Sequence, residues 1–80
     1  MGTLALKFDS DAVEVRATNL ALHVVLADGR ELDAPLEWFP RLRDATPEQR
    51  QNWRLIGGGQ GIHWPDLDED IAVSTLLRSS

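Results

Sequence analysis

The side chains most able to do chemistry in this 80-residue sequence form an acidic run near its C-terminus. The run contains four carboxylates within five positions, namely Asp66, Asp68, Glu69 and Asp70. Carboxylates at alternate positions are typical of the start of a calcium-binding loop, which also needs glycine at its sixth position and glutamate at its twelfth. The sequence has Ile71 and Leu77 at those positions, so we do not expect it to bind calcium.

The acidic run is also typical of the start of a helix. Asp68 is the predicted N-cap, and Glu69 and Asp70 fall in the predicted first turn, where negative charge complements the helix dipole. A cap needs one acceptor, so the run contains more acids than this helix requires. The surplus favours docking of a basic partner, and the predicted docking residues are Asp66, Asp68, Glu69, Asp70, His63 and Trp64.

The other residues that could bind a cofactor or act in catalysis do not form a known site. His23 and His63 are the two histidines of the chain, and two imidazoles far apart in sequence do not define a metal site. His63 is instead expected to hydrogen-bond and to order the corner at Trp64 and Pro65. The glycine run at 57–61 lacks the spacing of a phosphate-binding loop. There is no cysteine, and no serine lies in a nucleophile elbow. We therefore expect no metal, no cofactor and no enzymatic activity.

The charge balance opposes a dedicated nucleic-acid-binding function. Eight basic residues stand against 13 acidic ones, giving a formal net charge of -5, whereas phosphate binding needs clustered Lys and Arg. The local basic group consists of Arg41, Arg43, Arg50 and Arg54. With Trp38 and Trp53 nearby, this group could contact RNA through stacking and phosphate pairing. We favour a solvated helix face beside core tryptophans, and we do not expect direct nucleic-acid binding.

Three strands are predicted in the N-terminal half, at residues 12–17, 20–27 and 30–36. Their predicted inward-facing residues are Val13, Val15, Ala17, Leu20, Leu22, Val24, Leu26, Leu32, Ala34 and Leu36. A three-residue loop of Ala27, Asp28 and Gly29 brings these residues of the second and third strands together, with Gly29 in the left-handed position of a G1 bulge. A two-residue loop would place them on opposite faces, because a slip of one residue reverses every side chain.

The second strand is apolar on both faces. Ala21, His23 and Val25 line the face opposite the predicted core. A chain of 80 residues has few elements with which to cover both faces. We therefore expect a homodimer when the natural partner is absent, with this face or the C-terminal helix at the contact.

Helical patterns follow the strands. Trp38, Phe39, Leu42 and Ala45 fit one face of a short helix. Residues 46–49 have the composition of a capping box and predict a second helix that runs to about residue 53. Residues 53–56 and 62–64 are predicted to be extended, and the final helix follows them. The sequence thus predicts one α+β domain over residues 1–80, with a small antiparallel sheet, a β-hairpin, two short middle helices and a C-terminal helix packed on the sheet.

No segment approaches the roughly 20 apolar residues of a membrane span. Residues 1–8 lack the basic start and the long apolar core of a signal peptide. We expect a cytoplasmic protein that does not contact a membrane.

The C-terminal half resembles a bacterial family. The string from Gly61 to Ile71, Gly-Ile-His-Trp-Pro-Asp-Leu-Asp-Glu-Asp-Ile, followed by Leu76-Leu77, is similar to the signature of domain of unknown function 2442, or DUF2442. Upstream features that also resemble the family are the Asp28-Gly29 hairpin, the step from Pro35 to Leu42, and the run from Ala45 to Trp53. The resemblance covers nearly the whole chain from about Ala12.

The resemblance implies a small bacterial, plasmid or phage protein of a family that is largely uncharacterised. Many members lie beside a second small gene in an arrangement typical of a toxin–antitoxin pair, which implies an antitoxin-like protein that binds a small basic partner protein. Some longer relatives carry a helix-turn-helix domain after this region, whereas the present sequence ends at Ser80. Two alternatives stay open: a component of a nucleic-acid-associated regulator, and a phage-type inhibitor of a host defence complex whose acidic surface imitates nucleic acid. The family has no established catalytic residues to carry over.

Overall fold

A computed structural model describes residues 9–79 of the chain. The strands are β1 Ala12–Ala17, β2 Ala21–Leu26, β3 Glu31–Pro35, β4 Arg54–Ile56, β5 Gly61–Trp64 and β6 Glu69–Ala72. The helices are α1 Pro40–Arg43, α2 Pro47–Gln51 and α3 Val73–Ser79, with short 3-10 turns at Leu36–Trp38 and Gly57–Gly59. Two three-stranded antiparallel sheets result, in the orders β1-β2-β3 (sheet A) and β4-β5-β6 (sheet B). The predicted α+β class is confirmed, with two small sheets in place of one.

The predicted hairpin between β2 and β3 is confirmed in its register. Val24 lies opposite Leu32, and Leu22 lies opposite Ala34. The Gly29 N–H donates to the carbonyl of Leu26 at 3.0 Å, which closes the three-residue loop. Gly29 has a φ of 93°, a backbone conformation that side chains with a Cβ rarely adopt.

Two residues predicted to face inward in sheet A are exposed. Val13 is 55% exposed because the β1–β2 pairing shifts between Ala12 and Glu14, and this bulge turns Val13 out of the alternation. Leu20 is 78% exposed because β2 begins one residue after it. A β-bulge leaves no signature in an alternating pattern, so the sequence predicted an unbroken strand.

Residues 69–72 correct the predicted start of the final helix. They form β6, which pairs with β5 so that Ile71 lies opposite Ile62. The prediction of Asp68 as an N-cap was wrong, since Asp68 lies in the β5–β6 turn with a φ of 50° and the helix begins at Val73. Within residues 69–72, Ile71 is buried and Ala72 is exposed. In so short a segment, this burial pattern fits the period of a strand as well as that of a helix.

The middle helices are shorter than predicted. The capping box of α2 is confirmed, because the Gln49 N–H donates to the Thr46 hydroxyl and the Thr46 N–H donates to the Gln49 side chain. This helix ends at Gln51. The helix predicted from Trp38 is split into a 3-10 turn and α1, and Leu36 takes the buried position. Trp38 is therefore 51% exposed rather than part of the core.

The two sheets share one core. Leu22, Val24 and Leu26 of β2 are fully buried, as are Ile62 and Trp64 of β5. The cluster is completed by Ala12, Val15, Ala17, Ala34, Leu36, Leu42, Ile71, Val73 and Leu76. No helix within residues 9–79 is long and apolar enough to cross a membrane.

Alanine substitutions at Gly29 and Gly59 separate backbone strain from steric clash. Both glycines have positive φ, at 93° and 107°. A Cβ at Gly29 meets no atom within 4 Å, whereas one at Gly59 lies 2.7 Å from the carbonyl oxygen of Ala12. We expect Gly29→Ala to lower the free energy of unfolding by about 1 kcal/mol through strain alone. Gly59→Ala should lower it by about 2–4 kcal/mol because β1 must also move. Urea denaturation measures both, and equal losses would contradict the two geometries.

Candidate functional site

The predicted docking residues do not form a single surface. Cross-strand pairing places Asp70 opposite His63 and Glu69 opposite Trp64. Because successive strand residues point to opposite faces, Asp70 is exposed on the outer face of sheet B while Glu69 is half-buried on the side of the core. Two further acids, Asp66 and Asp68, lie in the exposed turn between the strands.

Trp64 is a core residue and not a docking residue. Its side chain is fully buried, and its indole N–H donates to the carbonyl of Arg50 at 3.0 Å. The prediction that Trp64 meets a partner was therefore wrong. From the sequence, a tryptophan beside a charged turn can either contact a partner or pack beneath the turn. The alternation of side chains along β5 places Trp64 on the core side, so it packs beneath the turn.

The acids of the β5–β6 turn differ in their contacts. Asp70 pairs with the Nδ1 of His63, and Asp66 accepts a hydrogen bond from the side chain of Asn52 at 3.0 Å. Within residues 9–79, the carboxylates of Asp68 and Glu69 have neither a hydrogen bond nor an ion pair. His63 thus joins β5 to β6 through Asp70, in place of the expected role at the corner beside it.

The predicted arginine group is largely occupied by the chain itself. Arg50 donates to the carbonyls of Leu42 at 3.0 Å and Ala45 at 2.9 Å. Arg41 donates to the carbonyl of Asp68 at 2.8 Å, which fastens α1 to the β5–β6 turn. Arg43 pairs with its neighbour Asp44, and this pair holds the pKa of the Asp44 carboxyl below its ordinary value. Three of these four guanidinium groups therefore have structural contacts.

Sequence reasoning missed a second charged group on the outer face of sheet A. His23 of β2 lies between two acids of β3, with its Nδ1 at 2.6 Å from Asp33 and its Nε2 at 2.9 Å from Glu31. The hydrogen bond to Asp33 and the charge of both carboxylates hold the pKa of His23 above its ordinary value of 6.5, against the opposing effect of partial burial. The predicted hairpin register already places His23 opposite Asp33, so the group could have been found from it.

The two sheets repeat one cross-strand arrangement. Each central strand carries a histidine opposite an arginine of the preceding strand and an aspartate of the following strand. The two sets are Arg16, His23 and Asp33 in sheet A, and Arg54, His63 and Asp70 in sheet B. Both histidine–aspartate pairs lie on sheet faces, and the depression of about 310 Å³ beside α3 contains neither histidine. Within the described residues, no three His, Asp or Glu side chains are arranged so that they could hold a metal ion.

Asp68 is expected to tolerate glycine better than a β-branched residue. Its φ of 50° lies in the left-handed region, which Asp enters more readily than most residues. Asp68→Gly should change the free energy of unfolding by less than about 0.5 kcal/mol, because relief of strain offsets the larger entropy of the unfolded chain. Asp68→Val should lower it by about 1–2 kcal/mol. Thermal or urea melts measure both, and equal stability of the two variants would contradict the turn geometry.

Comparisons with known proteins agree with the resemblance seen in the sequence. A family model described as "Protein of unknown function (DUF2442)" matches residues 12–80. A protein of unknown function from Rhodospirillum rubrum has a similar structure, with 25% identity, a TM-score of 0.75 and 86% of each chain covered. An uncharacterized protein from Chromobacterium violaceum is 26% identical with a TM-score of 0.72, over 85% of this chain and 64% of that one. No curated protein matches the sequence. The match over residues 12–80 establishes that this chain belongs to the DUF2442 family.

Proposed function

We propose that this protein is a non-enzymatic binding protein of the cytoplasm that holds a small basic protein, as the antitoxin-like component of a two-gene module. The observation that carries the proposal is the pair of carboxylates at Asp68 and Glu69, which have no partner within residues 9–79. No contact within residues 9–79 has to be broken before these two carboxylates bind a basic partner, and Asp66 and Asp70 lie beside them in the chain. The net charge of -5 adds long-range attraction for a basic molecule.

The docking surface of this proposal is the β5–β6 turn and its flanks. Asp66 and Asp68 are exposed in the turn, and Asp70 and His63 flank it on the outer face of sheet B. Half-buried Glu69 completes the surface at the end of the turn, on the opposite face of the sheet. The Asp66 contact with Asn52 and the Asp70 contact with His63 are at the surface, where such pairs contribute little stability. A partner's guanidinium or ammonium groups can therefore replace these contacts at small cost. Trp64 supports the turn from below without touching the partner.

A direct test starts from the reading frames that flank this gene, among which the proposal requires one that encodes a small basic protein. We expect the two proteins to co-purify, and expression of this protein to restore growth that the basic protein inhibits. The variant Asp68→Asn with Glu69→Gln should slow association about threefold at low salt, because surface charges act mainly through the on-rate, and 0.5 M salt should remove the difference. Its melting temperature should stay unchanged.

The matched control is Glu37→Gln with Glu48→Gln, which removes two exposed acids from the middle helical region. This variant should associate nearly as fast as the native protein. Equal slowing in both double variants would show that net charge, not the β5–β6 turn, governs the encounter. Absence of any complex with the neighbouring gene product would overturn the proposed function.

We also propose that the protein forms a homodimer when its partner is absent. The outer face of sheet A offers half-buried Ala21, His23 and Val25 for such a contact, but Glu31 and Asp33 flank them. A two-fold contact there would bring like charges together, so α3 is the contact we expect. Sedimentation velocity across the micromolar range should show a mass that rises with concentration, and a constant monomer mass would contradict the proposal.

A further inference from the structure

Among residues 9–79, no element covers the outer face of sheet A, where the side chains are exposed or half-buried. Its central strip consists of Ala21, His23 and Val25 of β2, which are all half-buried. The strip is mostly apolar because Ala21 and Val25 lie on either side of His23. The rim is charged and exposed, with Glu14 and Arg16 on β1 and Glu31, Asp33 and Pro35 on β3. Three acids against one arginine give this face a negative charge when His23 is neutral.

The acids of this face differ in the side chains that they contact. Glu14 and Arg16 lie in contact on the same strand, with 3.5 Å between their charged atoms. Glu31 and Asp33 both converge on the ring of His23. The one cationic group that can satisfy these two carboxylates within the sheet is therefore the imidazole, and only in one of its protonation states.

A neutral imidazole carries one N–H and can donate to one carboxylate. The contacts of 2.6 Å to Asp33 and 2.9 Å to Glu31 involve both ring nitrogens, so the imidazolium form alone donates to both. When the ring loses its proton, one nitrogen lone pair faces a carboxylate oxygen. That carboxylate is then without a donor and is open to a cation from outside.

We propose that the outer face of sheet A binds the basic partner of the proposed function, and that His23 regulates this binding by holding or releasing the carboxylates of Glu31 and Asp33. The inference rests on the proposed function and extends it, since it adds a second docking surface and a pH-dependent regulation of binding. A basic segment fits this face better than a second copy does, because a second copy would place six carboxylates against two arginines. Ala21, Val25 and Pro35 supply the apolar contact beneath the charged rim.

The direction of the pH effect follows from the charges around His23. The facing groups are Glu31 and Asp33 from β3 and Arg16 and Glu14 from β1. The two β3 acids raise the pKa of the ring above 6.5, so the imidazolium bridge and its contribution to stability are fully present below pH 6.5 and are lost as the pH rises through the higher folded-state pKa. Binding of a cation at this face should therefore tighten over the same pH interval.

The test uses triarginine as the probe and the full chain labelled with ¹⁵N. Chemical shifts are recorded during titration in 20 mM salt at pH 5.5 and at pH 8, and the imidazole signals of His23 are titrated in parallel. We expect the largest shift changes at Glu31, Asp33 and His23, with a Kd about threefold lower at pH 8, the size of change typical of one exposed ion pair. His23→Gln should abolish the pH dependence, and the matched His63→Gln should preserve it.

A pair of charge variants locates the surface. Glu31→Gln with Asp33→Asn should weaken triarginine binding about threefold at pH 8, whereas Asp66→Asn with Asp70→Asn should weaken it less. The same spectra report whether each variant is folded. Shift changes confined to residues 66–70 would overturn this inference and leave the proposed function standing. Shift changes spread evenly over the surface, or pH dependence retained in His23→Gln, would overturn the inference as well. Absence of binding at both surfaces would remove the electrostatic basis of both proposals.

Discussion

The hydrogen bond between the Trp64 indole and the carbonyl of Arg50 connects the parts of this small domain that cannot stabilise themselves. The helices α1 and α2 have four and five residues, far below the roughly 12–15 residues at which isolated helices become marginally stable. The Arg50 carbonyl lies in the last turn of α2, where helix carbonyls lack an internal donor. Trp64 supplies that donor from the centre of the core.

Arg50 extends the same linkage to the neighbouring helix. Its guanidinium group donates to the carbonyls of Leu42 and Ala45, at the end of α1 and just beyond it. One buried indole and one arginine side chain thereby fasten both short helices to β5. Removing the indole would take the donor from the Arg50 carbonyl, and removing the guanidinium group would take the donor from the Ala45 carbonyl, whereas the Leu42 carbonyl would keep the Ala45 N–H. An acceptor that loses its donor inside a fold costs more than the loss of an exposed contact. The local structure of residues 40–51 therefore depends on tertiary contacts rather than on helix propensity.

The contrast between the hairpin and the acidic run shows where sequence reasoning succeeds and where it stops. The register of β2 and β3 was predictable because Gly29 restricts the loop and a slip of one residue would bury Glu31 and Asp33 in the core. Residues 69–72 had no such constraint. Four residues cannot distinguish a strand period from a helix period, and acids are favourable at a helix start as well as on an exposed edge strand. The pairing partner, β5, decided the outcome.

The candidate site was predictable to the same extent. The dense acidic segment is visible in the sequence itself. Glu69 and Asp70 point to opposite faces because they alternate along β6, and the sequence did not predict that strand. The group around His23, in contrast, follows from the predicted register of the β2–β3 hairpin without any further element. It was missed because the residues are distant in sequence and only their cross-strand positions bring them together.

Both sheets are meanders in which every strand pairs with its neighbour in the chain, and this has a consequence for how the protein folds. Pairing between adjacent segments closes short loops, so each sheet loses little chain entropy when it forms. Domains with such local connectivity fold faster than those in which distant strands must meet. The long-range event that remains is the packing of the inner face of one meander on the other. We therefore expect the folding barrier to reside in the burial of Ile62 and Trp64 in the core that both sheets share, and each meander to form and dissolve rapidly before that step.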